Sequence, residues 1–122
     1  MLLVRFVNIK VNGQGWVCLP DKGEIKIIVK GHASFAKKGK DIVCAAVSIL
    51  AQTMVLAVEK LTDLKQQVLT QEGYLESKID AVILKESGQV EYSKFRVILS
   101  NFFIGLESIR QEYPDYIKID FI

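Results

Sequence analysis

The sequence predicts an α+β fold, with two helices packed on a mainly antiparallel β-sheet in a single small domain. Three observations carry this. At 122 residues the chain is long enough for one core and too short for two. Half of its residues are hydrophobic. Segments alternating with period two stand at both ends and near residue 27, while two long stretches carry their apolar residues at helical intervals.

The first strand is read over Leu2 to Lys10, where Val4, Phe6 and Asn8 alternate with Leu3, Arg5 and Val7. Asn12-Gly13 and Gly15 mark a turn, and Pro20, Asp21 and Gly23 close the loop after it, so Cys18 falls in a loop. Glu24 to Lys30, rich in Ile and Val, forms the second strand and pairs antiparallel with the first. The eight-residue link from Ala33 to Lys40 is longer than most strand-to-helix connections. Gly31 and Gly39 bracket it, which suits either a lid over a substrate or a mobile surface loop.

Asp41 offers an N-cap for the first helix, since its carboxylate can accept a backbone N–H two or three residues on. Cys44 then stands at the third helical position, where the positive end of the helix favours a thiolate. The helix runs to about Lys60 through Val47, Ala51, Met54, Val55 and Val58. Gln67 to Thr70 and Tyr74 to Ile79 make a hairpin around Glu72-Gly73, and Ala81 to Lys85 prolongs its second strand. Ser93 caps the last helix, whose stripe of Phe95, Leu99, Phe102, Leu106, Ile109 and Tyr113 is core. Pro114 ends it, and Tyr116 to Phe121 alternates as a half-buried strand.

Composition limits the function. A formal charge of +2 gives no concentrated basic face for nucleic acid, and the one local cluster, Lys37, Lys38 and Lys40, reads as a solvated loop. Ile42 to Val58 is uncharged and near the shortest length that spans a membrane. Its alanines, Ser48, Gln52 and Thr53 favour a helix buried in protein, covered by the sheet and by a second subunit. The N-terminus shows strand-like alternation and no small-residue cleavage site, so no signal peptide is read. Two separated cysteines then suit a reducing cytoplasm.

The chemistry rests on His32, the only histidine, and Cys44. A strand end and a helix start bring them across one turn, where the imidazole takes the thiol proton and backbone N–H groups at the helix start, including that of Cys44, face the developing oxyanion. Asp41 serves as cap or as orienter of His32, with the cap favoured. Ser48, one turn after Cys44, bonds its own backbone by default or helps to hold the site. One histidine and two distant cysteines make no metal site, and no phosphate-binding glycine motif or other cofactor signature is present. The absence of a Cys-x-x-C pair argues against thiol redox chemistry.

Gly31-His32-Ala33, Gly39 and Asp41-Ile42-Val43-Cys44-Ala45-Ala46-Val47-Ser48 resemble the signature of the ribosomal-processing cysteine protease (Prp) family. Gly73-Tyr74-Leu75 resembles its middle strand, and Gly105 to Ile109 with Gln111 to Ile119 its last helix and strand. The resemblance implies an endopeptidase that removes the N-terminal extension of a large-subunit ribosomal protein, number twenty-seven, cutting after an aromatic residue. It implies Cys44 as nucleophile, His32 as base, and a homodimer; Phe35 is the one candidate named for the pocket. Asn12 to Asp21 is longer than the family pattern, and Ala81 to Tyr92 carries an extra apolar run. The competing reading is a non-enzymatic adaptor docking on ribosomal protein or RNA through the lysine loop.

Overall fold

The computed structural model describes residues 1–31 and 38–122, and residues 38–41 by their backbone alone. Strand β1 (Leu2–Val7) buries Leu2, Val4 and Phe6 on one face and leaves Leu3, Arg5 and Val7 half-exposed on the other, the period-two pattern of its sequence. Asn8 ends it with a φ of 62°, a conformation asparagine tolerates better than most residues. Its side-chain amide donates to the Lys22 carbonyl at 3.1 Å. The expected first strand is therefore interrupted. Its remainder, β2 (Lys10–Val11), pairs with β3 (Val17–Cys18) in a small separate hairpin.

That hairpin places the exposed Cys18 in a strand and not in a loop. It also explains the extra length from Asn12 to Asp21, because the segment leans on the last helix. Val17 donates its N–H to the buried Ser100 hydroxyl at 3.0 Å, Arg96 donates to the Val17 carbonyl at 3.0 Å, and the Arg96 guanidinium lies 4.7 Å over the Trp16 ring.

Strand β4 (Glu24–Lys30) pairs antiparallel with β1, Val4 opposite Val29 and Phe6 opposite Ile27. Helix α1 spans Lys38–Leu61. The hairpin β5 (Gln67–Gln71) and β6 (Tyr74–Asp80) follows, with β6 joining β4. The chain closes with α2 (Ala81–Glu86), α3 (Gln89–Glu112) and β7 (Ile117–Phe121). The main sheet has the order β5-β6-β4-β1-β7, in which only the β1/β7 pair is parallel.

Two expectations fail at α2 and α3. Ala81 to Lys85 does not prolong the strand, because the Asp80 carboxylate accepts the N–H groups of Val82 at 2.9 Å and Ile83 at 3.1 Å and starts a helix. Ala81 and Leu84, three apart, are its buried pair. Nor does Ser93 cap the last helix: that helix begins a turn earlier, after Gly88, whose φ of 97° lets the chain turn directly out of α2.

Helices α1 and α3 pack side by side on the inner face of the sheet. The core they form is built from Val43, Val47, Ala51, Met54 and Val58 of α1, Phe95, Leu99, Phe102 and Leu106 of α3, and the inward residues of β1, β4 and β7. Phe6 stands at its centre, with Phe102, Phe103 and Phe121 at ring separations of 5.9, 5.8 and 5.1 Å. Ile42–Leu61 is long and apolar enough to cross a membrane by length and composition, with a mean hydropathy of 2.0, yet one side of it is this core.

Candidate active site

Successive residues of an α-helix advance by 100°, so Val43, Val47, Ala51, Met54 and Val58 form the buried stripe of α1, and Cys44 falls at its edge. The thiol is half-buried. It borders a groove of about 610 Å³ whose helical wall is Cys44, Val47, Ser48, Ala51 and Gln52. Leu2, Val29 and Leu75 make the sheet side, and the β5–β6 hairpin tip, Thr70 to Tyr74, makes the far wall. A larger cavity of about 830 Å³ between the β2–β3 hairpin and α3 has no thiol or imidazole among its described lining residues.

Gly31 fixes the near end of the groove. Its φ of 140° lies in a region that favours glycine, and a Cβ there would stand 2.7 Å from the Met1 carbonyl oxygen. Its N–H donates to the Gly73 carbonyl at 3.0 Å, tying the end of β4 to the hairpin tip. The next residue in the chain is His32, which lies outside the described residues, as do Phe35 and Lys37.

The helix start differs from expectation. Because α1 begins at Lys38, Gly39 is in its first turn and Asp41 is inside the helix, not before it as an N-cap. Cys44 is then almost two turns in, beyond the reach of the dipole, which acts within the first turn. Its N–H belongs to the intrahelical ladder and is not an oxyanion donor, since only the first four N–H groups of a helix lack such a partner. The side chain of Asp41 lies outside the described residues.

Ser48 has a side-chain partner. Its hydroxyl accepts a hydrogen bond from the Gln52 amide at 2.9 Å, one turn further along the same wall. The sequence marks the Glu72-Gly73 turn but neither Gln52 as a site residue nor the placing of that turn opposite it, because their joint position depends on the strand register. The described ionisable residues of the groove are Lys30, Cys44, Glu72 and Tyr74. The Tyr74 hydroxyl, 3.4 Å from Glu76, is held above its ordinary range, first by loss of solvent and then by the Glu76 charge, so it stays protonated near neutrality. Among the described residues no cluster of His, Cys, Asp and Glu could hold a metal ion.

A sequence model of the family described as cysteine protease Prp matches residues 17–118. The chain belongs to the cysteine protease Prp family. It is accordingly a hydrolase of peptide bonds, which sets aside the non-enzymatic adaptor.

Among Prp relatives, the ribosomal processing cysteine protease Prp of Bacillus subtilis (strain 168) is 29% identical over 105 residues, covering 81% of this chain and 87% of that protein. The protein of the same name from Mycoplasma genitalium (strain ATCC 33530 / DSM 19775 / NCTC 10195 / G37) is 73% identical over 22 residues, 18% of this chain and 22% of its own. An essential ribosomal processing protease Prp from S. aureus, solved in complex with a substrate peptide, superposes over the whole of both chains with a TM-score of 0.71 at 23% identity. SMU.848 from Streptococcus mutans superposes with a TM-score of 0.67 at 24% identity, over all of this chain and 94% of its own. The Prp fold therefore holds here, including the three helices on a mostly antiparallel sheet.

Proposed function

We propose that this Prp family member is a ribosomal processing endopeptidase, which removes the N-terminal extension of large-subunit ribosomal protein number twenty-seven by thiolate attack from Cys44 with His32 as base and acid. One observation carries the reading: a half-buried cysteine opens onto a groove with an apolar helix-and-sheet floor and a polar rim. Leu2, Val29, Val47, Ala51 and Leu75 suit the aromatic side chain expected just before the cut, while the rim offers hydrogen-bonding groups to a peptide backbone. The described groove contains a nucleophile but no imidazole, and the only histidine follows Gly31, which lines that same groove.

In this mechanism His32 takes the Cys44 proton, the thiolate attacks the scissile carbonyl, and His32 returns the proton to the leaving amine; water then frees the acyl group. The work is done in a reducing cytoplasm, where a thiol nucleophile persists. A second copy covers the exposed stripe of α1, so the enzyme is a homodimer. That the relatives from B. subtilis and M. genitalium are named for ribosomal processing, and that the S. aureus protein was solved with a substrate peptide, supports this substrate class.

The test is incubation of the purified enzyme with the extended ribosomal protein from the same organism, with the new N-terminus found by mass spectrometry. Cleavage at a single site after an aromatic residue is expected, with Cys44→Ala lowering the rate by at least about a thousandfold while still binding the precursor. Unchanged processing by Cys44→Ala rejects the assignment.

A further inference from the structure

We infer that Ser48 and Gln52 form a two-rung ladder along α1 that grips the backbone of the extended substrate two and four residues from the scissile bond, making Gln52 a substrate-positioning residue. The inference rests on Cys44 being the nucleophile of the groove. Cys44, Ser48 and Gln52 follow one another at intervals of four, and all three line that groove. Each interval advances about 6 Å along a helix axis. Two residues of an extended peptide advance about 6.7 Å. The two repeats stay matched over this short distance, so a peptide lying along α1 with its scissile carbonyl at Cys44 presents a backbone group to Ser48 and the next equivalent group to Gln52.

The side chains are set for this role. Gln52 donates one amide hydrogen to the Ser48 hydroxyl at 2.9 Å, which holds both rotamers before a peptide arrives. Among the described residues this is the only hydrogen bond of the Gln52 side chain, leaving its carbonyl oxygen and second amide hydrogen for a backbone N–H or C=O. Each turn also rotates the row by 40°, so it climbs from the half-buried thiol to two exposed side chains at the rim, opposite Thr70 and Gln71 of the hairpin tip. A contact made equally in the bound and transition states changes KM and not kcat.

The probe is a peptide spanning the expected cut in the ribosomal protein, trimmed one residue at a time from either end. In the wild-type enzyme, trimming one end inside the fourth residue from the cut is expected to raise KM about fivefold, as the loss of one neutral hydrogen bond does. Gln52→Ala is expected to show that same raised KM on the longest peptide, the same kcat, an unchanged Tm, and no further response to removal of the fourth residue. Ser48→Ala is expected to respond only to peptides long enough to reach the second residue. If Gln52→Ala slows every length by one common factor, or changes kcat and not KM, the ladder is overturned. If the wild-type enzyme leaves the longest peptide whole, the substrate assignment itself has failed and the inference falls with it.

Discussion

The most consequential residue is Cys44, and its position inside α1 changes where its reactivity has to come from. Had it stood in the first helical turn, the backbone would have shared in stabilising the thiolate; almost two turns in, that help is gone, and in the proposed mechanism the His32 imidazole supplies it. Alkylation of Cys44 by iodoacetamide is therefore expected at pH values well below the ordinary thiol range near 8.5, and His32→Ala should return the profile to that range and slow the reaction at pH 6.5 about tenfold or more. An unshifted profile in His32→Ala would place the activating group elsewhere. Glu91 gives a second residue-scale prediction. Its carboxylate accepts the Asp63 N–H at 2.6 Å and pairs with Lys94 at 3.2 Å, and the backbone hydrogen bond, then Lys94, holds its pKa below the usual carboxyl value. A lowered folded-state pKa contributes stability that is present above the unfolded value and lost as pH falls through the folded one. Glu91→Gln should thus lower Tm at neutral pH, and the gap from wild type should close as thermal melts are taken to acid below the ordinary carboxyl range.

Elements whose cause is local were legible, and those decided by distant contacts were not. Glu24 to Lys30, the Glu72-Gly73 turn and the α3 stripe follow from alternation, turn chemistry and helical spacing, each contained within one stretch of chain. The exposed edge strand β5 was legible only because its turn was. The run Ala81-Val82-Ile83-Leu84 was misread, since four apolar residues in a row fit strand and helix alike; what decides is Asp80, whose carboxylate captures two N–H groups. Asp80→Ala should cost about 1 kcal/mol in denaturant melts, and Asp80→Asn should recover most of that, because an asparagine oxygen caps nearly as well. Equal loss in both would assign the effect to charge instead of capping. The site divides the same way. His32 and Cys44 stand out by residue type and spacing, whereas the groove wall combines Leu2, Gln52 and Thr70, which only strand order and register bring together.

On the scale of the whole molecule, α1 has an unmatched side. Val43, Val47, Ala51, Met54 and Val58 are spent on the core, yet Ile42, Ile49 and Leu56 remain 48%, 61% and 48% exposed. They recur every seven residues, which aligns them in one seam on the side of the helix away from the sheet. Ile42 to Val58 carries no charge, so two copies can bring these seams together around a two-fold axis without like-charge repulsion, each presenting the same patch to the other. By its angular position the seam adjoins Gln52, and a second subunit there borders the groove rim. A homodimer seated on this face predicts that Ile49→Glu, which places a carboxylate at the most exposed point of the seam, lowers the mass in sedimentation equilibrium from about twice 13.7 kDa to that of one chain. Because the Ile49 side chain contributes nothing to the core, the variant should keep the Tm of an isolated subunit and the far-UV spectrum of the wild type. If Ile49→Glu sediments as the wild type does, the interface lies on another face. If the wild type is itself monomeric at concentrations of about 100 μM, the seam is no dimer contact at all, since affinity that weak is below what a stable interface of standard size supplies.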